Sequence, residues 1–372
     1  MQNAFTDDQI QFREVVDRFL TDKSPTTATR NIVENNLDHD ADTWRQLSTE
    51  VGLTGTHIPE AYGGFGFGPV ELGIAAEEMG RHIYTGPFFA SAVMATYAVL
   101  CMADESAKAD LLPGLAEGST IGALVLDSLD SIDRIGTKIS AQGDKLTGTA
   151  PLVVDGQAAN QLITVASTGD ELGLFAIAPD QSGVSISPVD SIDPTRKLAR
   201  IQFDAAQASQ IGQPSRAQLN TAWNHCCVML AHEMVGGAQQ LLDSTIEYTK
   251  IRYQFGRPIG SFQGLKHRCA DLLMEVEWAK AATHHAARCL AAGEGETYLP
   301  NMVKALASDT YMTAAKEAIQ MRGGIGFTWE EDTHFWYKRA KSSEVFLGTP
   351  AAHREQMMSL IEADLEEDVN HG

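Results

Sequence analysis

The sequence predicts an α+β chain in three parts: an N-terminal helical domain over residues 1–118, a middle β domain over 119–213, and a C-terminal four-helix bundle over 214–372. Three observations carry that prediction. Up to about Gly118 apolar residues recur at helical spacing, as in Ile10, Phe12, Val15, Val16, Phe19 and Leu20. From about Thr120 the texture changes to short β-type runs (IGALVL, KLTGTA, QLITVAS, LGLFAIA, VSISPV, ARIQFD) separated by Asp, Gly, Ser and Pro, which is the spacing of a small antiparallel β domain. Beyond Arg216 no alternation is sustained, and four long helical stretches are expected at 216–250, 262–293, 297–322 and 350–365, the pattern of a bundle.

In the first part, Thr6 with Gln9 three residues later reads as a capping box that starts a helix. The run IPEAYGGFGFGP (58–69) holds six Gly and Pro residues, so it cannot continue a helix and must be an irregular loop, either a connector or the wall of a pocket. The apolar stretch 88–103, 16 residues long, falls short of the ~18–20 that cross a bilayer and reads as a buried helix. In the last part, a helix of about 35 residues would be about 50 Å long, and its apolar faces call for a second subunit to cover them.

Composition narrows the function. Subtracting 49 acidic from 28 basic residues leaves a net charge of −21, which repels phosphate backbones and anionic lipid, so neither nucleic acid nor membrane is an expected partner. The hydrophobic share of 44% with 21% charged residues is that of an ordinary folded protein, and 372 residues suffice for two or three domains. The five cysteines (Cys101, Cys226, Cys227, Cys269, Cys289) are odd in number and never spaced C-x-x-C, which argues for a reducing compartment and against a structural zinc site. The start, MQNAFTDDQIQ, has neither the basic patch nor the apolar core of a secretion signal, and a cytoplasmic location is expected.

Two segments of the last third carry the most information: RYQFGRPIGSFQGLKHRCADLL (252–273) and QMRGGIGFTWEEDTHFWYKRAKSS (320–343). Together with the loop IPEAYGGFGFG and the following EEMGR, they resemble the acyl-CoA dehydrogenase family, with its R-x-x-F-G-x-x-I-x-x-F-Q-x-x-K-H and Q-x-x-G-G-x-G-F-T-W-E patterns. The resemblance spans nearly the whole chain and implies the fold of that family, FAD as cofactor and α,β-dehydrogenation of an acyl-CoA thioester. Carried over by position, it identifies Arg252, Phe255, Gln263, Gln320, Gly323, Gly324 and Thr349 as cofactor-binding residues. In the family the Arg and Phe lie along one subunit's flavin, and the Gln-x-x-Gly-Gly turn reaches the ADP part from a neighbouring subunit. The chemistry fits those residue types: a guanidinium can meet a pyrophosphate bidentately, and paired glycines let backbone N–H groups approach its oxygens. Taken singly, Arg252 reads as a surface side chain, Phe255 as packing and Gly323-Gly324 as a helix C-cap; two specific motifs in one chain reverse those readings.

The catalytic half departs from the family pattern. The resemblance requires a carboxylate that removes the α-proton, and its two usual positions fall at Leu347, in the run FLGT, and at Cys226. The helix positions that contact the thioester become Asn224 and Cys227. Where the family has T-E-P-x-x-G-S-D and W-I-T beside the flavin ring, this chain has DSLDSIDRIG and LVV (152–154). Glu233, Glu330, Glu331 and Glu344 are weaker rivals for the base, and no catalytic residue is named. His225, His232, His267, His284 and His285 give no metal-ligand spacing, His284 and His285 being adjacent and on different helix faces, so no metal is expected. Adjacent Cys226 and Cys227 cannot close a relaxed disulfide.

The losses are correlated: groups expected around the chain's own flavin ring and substrate are gone, while those that grip an ADP moiety remain. The resemblance therefore points to the non-catalytic-type subunit of heterotetrameric acyl-CoA dehydrogenases, known from bacterial steroid side-chain degradation, paired with a second subunit that supplies the base. A self-sufficient homo-oligomeric dehydrogenase or related thioester enzyme with a non-standard base, and a structural paralogue without cofactor, are the alternatives.

Overall fold

The computed structural model describes residues 5–371, so residues 1–4 and 372, the outer ends of the first and last expected domains, lie outside the described residues. Helix α1 (Asp7–Lys23) opens with the capping box read from the sequence. Thr6 N–H donates to Gln9 Oε1 at 3.1 Å, and Gln9 N–H to Thr6 Oγ1 at 3.2 Å. Contacts divide the chain into two units: Met1–Arg13, Gly73–Tyr84 and Cys227–Gly372 in the first, Glu14–Leu72 and Thr85–Cys226 in the second.

Chain order continues with α2 (Thr26–Glu34), α3 (Ala41–Thr49), α4 (Pro69–Arg81), α5 (Thr96–Met102) and α6 (Glu105–Glu117). Acidic side chains start two of them: Asp40 Oδ1 accepts from Thr43 N–H at 2.7 Å ahead of α3, and Asp104 Oδ1 from Ala107 N–H at 2.8 Å ahead of α6. The glycine-rich loop before α4 is a pinned connector. Phe65, Gly66 and Phe67 donate backbone N–H bonds to Gly55, Ile58 and Thr56 at 2.9–3.0 Å. The stretch 88–103 is a buried helix as expected, wide-turned over Phe88–Ala95 and then continuing as α5. Among the described residues no helix is long and apolar enough to cross a membrane.

The middle of the chain forms one eight-stranded sheet from β1 (Gly122–Val125), β2 (Ile139–Gln142), β3 (Lys145–Val154), β4 (Gln161–Thr168), β5 (Glu171–Ile177), β6 (Val184–Val189), β7 (Leu198–Gln207) and β8 (Ser209–Gly212). Its order is β6-β7-β3-β2-β4-β5-β8, with β1 beside β4. Most pairings are antiparallel, as the short runs predict; β1 and β2 instead pair with β4 in parallel, a long-range register that local pattern does not encode. Ile139, Leu146, Val153, Leu162, Phe175 and Ile201 fill the core of this sheet. Asp127, fully buried after β1, is satisfied by backbone N–H groups of Gly136, Lys138 and Ile139 at 2.5–3.2 Å.

The C-terminal helices are α7 (Arg216–Ile251), α8 (Gln263–Ala292), α9 (Leu299–Arg322), α10 (Thr333–Val345) and α11 (Pro350–His371), with a hairpin of β9 (Tyr253–Gln254) and β10 (Arg257–Pro258) between α7 and α8. Four of them match the long stretches expected from the sequence. The fifth, α10, covers part of the motif text after Trp329, where aromatic and basic residues hide the helical period. In the first unit α9 packs against α8, α10 and α11, and its alanines at 305, 307, 314, 315 and 318 are buried. Small side chains there let neighbouring backbones approach closely. On α8, Leu273, Met274 and Trp278 stay exposed, Trp278 at 71%.

Candidate functional site

The first motif is built where α7 runs out. Arg252 N–H still donates to Tyr248 O at 3.0 Å, and Arg252 O accepts from Ile259 N–H at 2.8 Å, closing the base of the β9–β10 hairpin. At its tip Phe255 and Gly256 have φ of +55° and +77°, the conformation of a two-residue hairpin turn. The left-handed turn thrusts Phe255 outward to 90% exposure, with its ring edge-on to Phe262 at 6.1 Å, while the Arg257 guanidinium lies 4.0 Å over Phe262. Arg252 and Gln263 are exposed, and α8 starts at Gln263 with no side-chain cap on its first N–H groups.

The second motif is built where α9 ends. Buried Arg322 holds that end in place: its guanidinium donates to Thr245 Oγ1 at 2.8 Å, Ser244 Oγ at 3.1 Å and Glu331 Oε1 at 2.8 Å, while its carbonyl accepts from Tyr248 Oη at 3.5 Å. Because Ser244, Thr245 and Tyr248 are on the last turns of α7, the two motifs meet at one end of the first unit. Gln320, Gly323 and Gly324 are exposed there. Gly323 has φ +64°, which requires glycine; Gly324 has no such backbone, and a Cβ on either residue meets no atom within 4 Å. Nothing in this chain's packing explains glycine at 324, which leaves its N–H open to close approach from outside, and this fits a dinucleotide's pyrophosphate. Two cavities flank this end. One, about 490 Å³, is lined by Lys316, Gln320, Phe327, Trp329, Tyr337 and Lys338; the other, about 450 Å³, by Ile246, Thr249, Lys250, Pro258, Leu265 and Lys266. Lys316 and Lys338 in the first wall and Lys266 in the second give a strongly acidic chain local positive charge, while Lys250 is paired with Glu247 at 2.5 Å.

Thr349 is not brought to that cluster. Its hydroxyl accepts from Ala352 N–H at 3.3 Å and so caps α11, and the turn before it is tied to the opposite end of α9. Lys304, fully buried on α9, donates to the carbonyls of Ser343, Glu344 and Gly348 at 2.5–3.2 Å. Counting residues 304 to 320 along the helix, this turn is about 24 Å from Gln320. Burial lowers the Lys304 pKa to about 8. His353 Nε2 donates to Leu347 O at 2.7 Å, and its Nδ1 faces Asn301 at 2.7 Å; burial lowers this histidine to about 4 and keeps it neutral. Leu347 itself is 1% exposed with φ +56°, sealed inside the turn.

The other usual base position is equally closed. Cys226 is 2% exposed, and Tyr97, whose phenol burial holds well above its usual pKa, stacks between His57 and His225 at 4.6 and 4.3 Å. Cys227 is buried, which pushes its thiol up to about 12, and Asn224 is half-buried. The rival carboxylates have other work: Glu233 pairs with Arg339 at 3.3 Å, Glu331 with Arg322, and Glu344 with Lys341 at 2.5 Å, while Glu330 is exposed. In β3, Val153 packs in the sheet core, Val154 is buried, and Leu152 is 39% exposed. These three side chains offer a flavin ring no hydroxyl and no indole. Lys304 and His353, which pin the turn, and the cavity lysines were not singled out in the sequence. A lone Lys inside the apolar helical run NMVKALAS is the signal that could have found the first.

Comparison with known proteins shows the family and the fold. Family models described as acyl-CoA dehydrogenase, N-terminal domain and C-terminal domain match residues 6–119 and 216–361. Acyl-CoA dehydrogenase IpdE2 of Mycobacterium tuberculosis is 35% identical over 338 residues, covering 91% of this chain and 92% of that one. The protein of the same name from Mycolicibacterium smegmatis is 30% identical over 348 residues, covering 94% and 96%. Among solved structures, a variant of the Tcur3481-Tcur3483 steroid ACAD is similar at a TM-score of 0.87 and 26% identity, covering 97% of this chain and 99% of that one. A chain of the ChsE4-ChsE5 complex from Mycobacterium tuberculosis shares the fold at a TM-score of 0.87 and 22% identity, with the same coverage.

Proposed function

The chain belongs to the acyl-CoA dehydrogenase family of FAD-dependent oxidoreductases, and we propose that within it this chain is a partner subunit, lending the ADP-binding half of an FAD site to a second subunit that carries the base. The observation that carries this reading is the separation along α9. The open, cationic end around Gln320, Gly323 and Gly324 and the sealed turn at Leu347 are about 24 Å apart, too far for both to touch the same end of one cofactor. Two members of an assembly can then use the two ends for different flavins.

FAD held here would supply the acceptor for the β-hydride of the acyl thioester. Arg252 would meet the pyrophosphate as a charged fork, Gln320 would fix its orientation by its amide, and the bare backbone at Gly323 and Gly324 would donate N–H groups. Phe255 would cover the nucleotide from the hairpin tip and exclude water. The partner subunit supplies the carboxylate, the ring contacts and the thioester pocket. Exposed Leu273, Met274 and Trp278 supply an apolar face for assembly. Two structural neighbours are described by paired names, ChsE4-ChsE5 and Tcur3481-Tcur3483, and the latter as a steroid ACAD, which supports a bulky steroid-derived acyl-CoA as substrate. A cytoplasmic setting is part of the same proposal.

The test is flavin retention by the co-expressed assembly. Arg252→Ala and Gln320→Ala should each leave the assembly's mass unchanged and lower its bound flavin, measured by visible absorbance per protein. Full flavin content in both variants would refute the shared site.

A further inference from the structure

Helices α4, α7 and α8 bury three side chains of metal-ligand type against one another in the first unit. Glu77 is 4% exposed and His232 1%, while the His284 side chain is 14% exposed. His284 Nε2 lies 2.6 Å and His232 Nδ1 3.7 Å from the same oxygen, Glu77 Oε2, and one ligand atom of each residue lies within 4.8 Å of the others. The two imidazoles are stacked, 5.4 Å between centroids. Neither ring nitrogen of His232 has a hydrogen-bond partner among the described residues. Glycine at 73 makes room for that ring, since a Cβ there would sit 2.6 Å from His232 Nε2.

We propose that Glu77, His232 and His284 form a binding site for a divalent transition-metal ion of the zinc type. Two imidazoles and one carboxylate are the donor set such ions take. Bonds of about 2.0–2.1 Å place tetrahedral ligands about 3.3 Å apart. The two distances to Glu77, 2.6 and 3.7 Å, straddle that value, and the two histidine nitrogens, within 4.8 Å of each other, close by up to about 1.5 Å around an ion. His284 becomes a ligand through Nε2 as the neutral Nδ1–H tautomer, any proton on Nε2 passing to Nδ1 by exchange with solvent. An ion held this way ties three helices together and stabilises the folded chain by mass action.

Arg13 makes the proposal sharper. Its Nη2 lies 3.1 Å from Glu77 Oε2 and its Nε 3.6 Å from Glu78 Oε1, with the guanidinium 4.8 Å over the Phe5 ring. The guanidinium occupies the carboxylate's field without meeting hydrogen-bond geometry at Nε or Nη2. It therefore competes with the ion.

The experiment is calorimetric titration of the chelator-treated full chain with Zn²⁺, followed by the visible spectrum with Co²⁺. One ion per chain is expected, with a four-coordinate cobalt spectrum and a raised melting temperature. His232→Gln and His284→Gln should weaken binding by more than the roughly 10–100-fold that loss of an outer-shell partner costs. Arg13→Gln should tighten it. Circular dichroism checks each variant's fold, and the less deeply buried His284 serves if the His232 variant does not fold. No binding, or binding unchanged in the histidine variants, overturns the site; so does an Arg13→Gln chain that loses stability and gains no affinity.

Discussion

Gly324, like Gly264 at the start of α8, is a residue whose identity this chain's packing does not explain by itself. A methyl group there meets nothing, so Gly324→Ala should leave thermal stability within about 0.5 kcal/mol of the parent, or raise it slightly through the unfolded state. Flavin retention by the assembly should nevertheless fall, because the methyl stands where the pyrophosphate approaches. Equal stability with less flavin is a result that a purely structural glycine cannot produce. Buried histidines give a second residue-scale prediction. Burial lowers His57 to about 3 and His225 to about 4, from 6.5. As pH falls below 6.5 the unfolded chain takes up protons that the folded chain refuses, so the stability due to these neutral rings is complete above pH 6.5 and is lost toward pH 4. Denaturant midpoints should drop between pH 7 and 4.5, and His57→Phe should flatten that drop. An unchanged slope in the variant would contradict the assignment.

At the scale of elements, the turn after α10 is held by one ammonium. Lys304→Met removes the donor from three carbonyls, a loss of about 1–3 kcal/mol that the relief of a buried charge partly offsets. Hydrogen exchange should speed up first over residues 346–353, with α8 unaffected; uniform acceleration throughout the chain would deny Lys304 its local role. Such a side chain also marks the limit of sequence reading. Helices α7, α8, α9 and α11 and the Thr6 capping box were legible because local period and cap chemistry encode them. The hairpin turn at Phe255-Gly256 lay in plain view inside a motif, yet its left-handed geometry needed coordinates. Parallel pairing of β1 and β2 with β4, and the meeting of Arg322 with Thr245 across 77 positions, depend on contacts that no local pattern carries. Arg252, Gln320, Gly323 and Gly324 were named by motif, and the fold brings them to one end; Thr349, named with them, caps α11 at the other.

For the whole molecule, the same α9 helix has a sealed end at Leu347 and an open end at Gly323-Gly324, and the net charge of −21 leaves the lysine-walled cavities as local cationic ground. The proposed function has this chain complete a site that another chain begins. The most direct test is the flavin absorbance and native mass of the purified chain, alone and after co-expression with a second acyl-CoA dehydrogenase subunit that carries Glu where this chain has Leu347. The account predicts a colourless or weakly flavinated chain that becomes yellow and active only in the mixed assembly, at one flavin per pair of chains. One flavin per chain in the protein alone, bleached by an acyl-CoA, would contradict it.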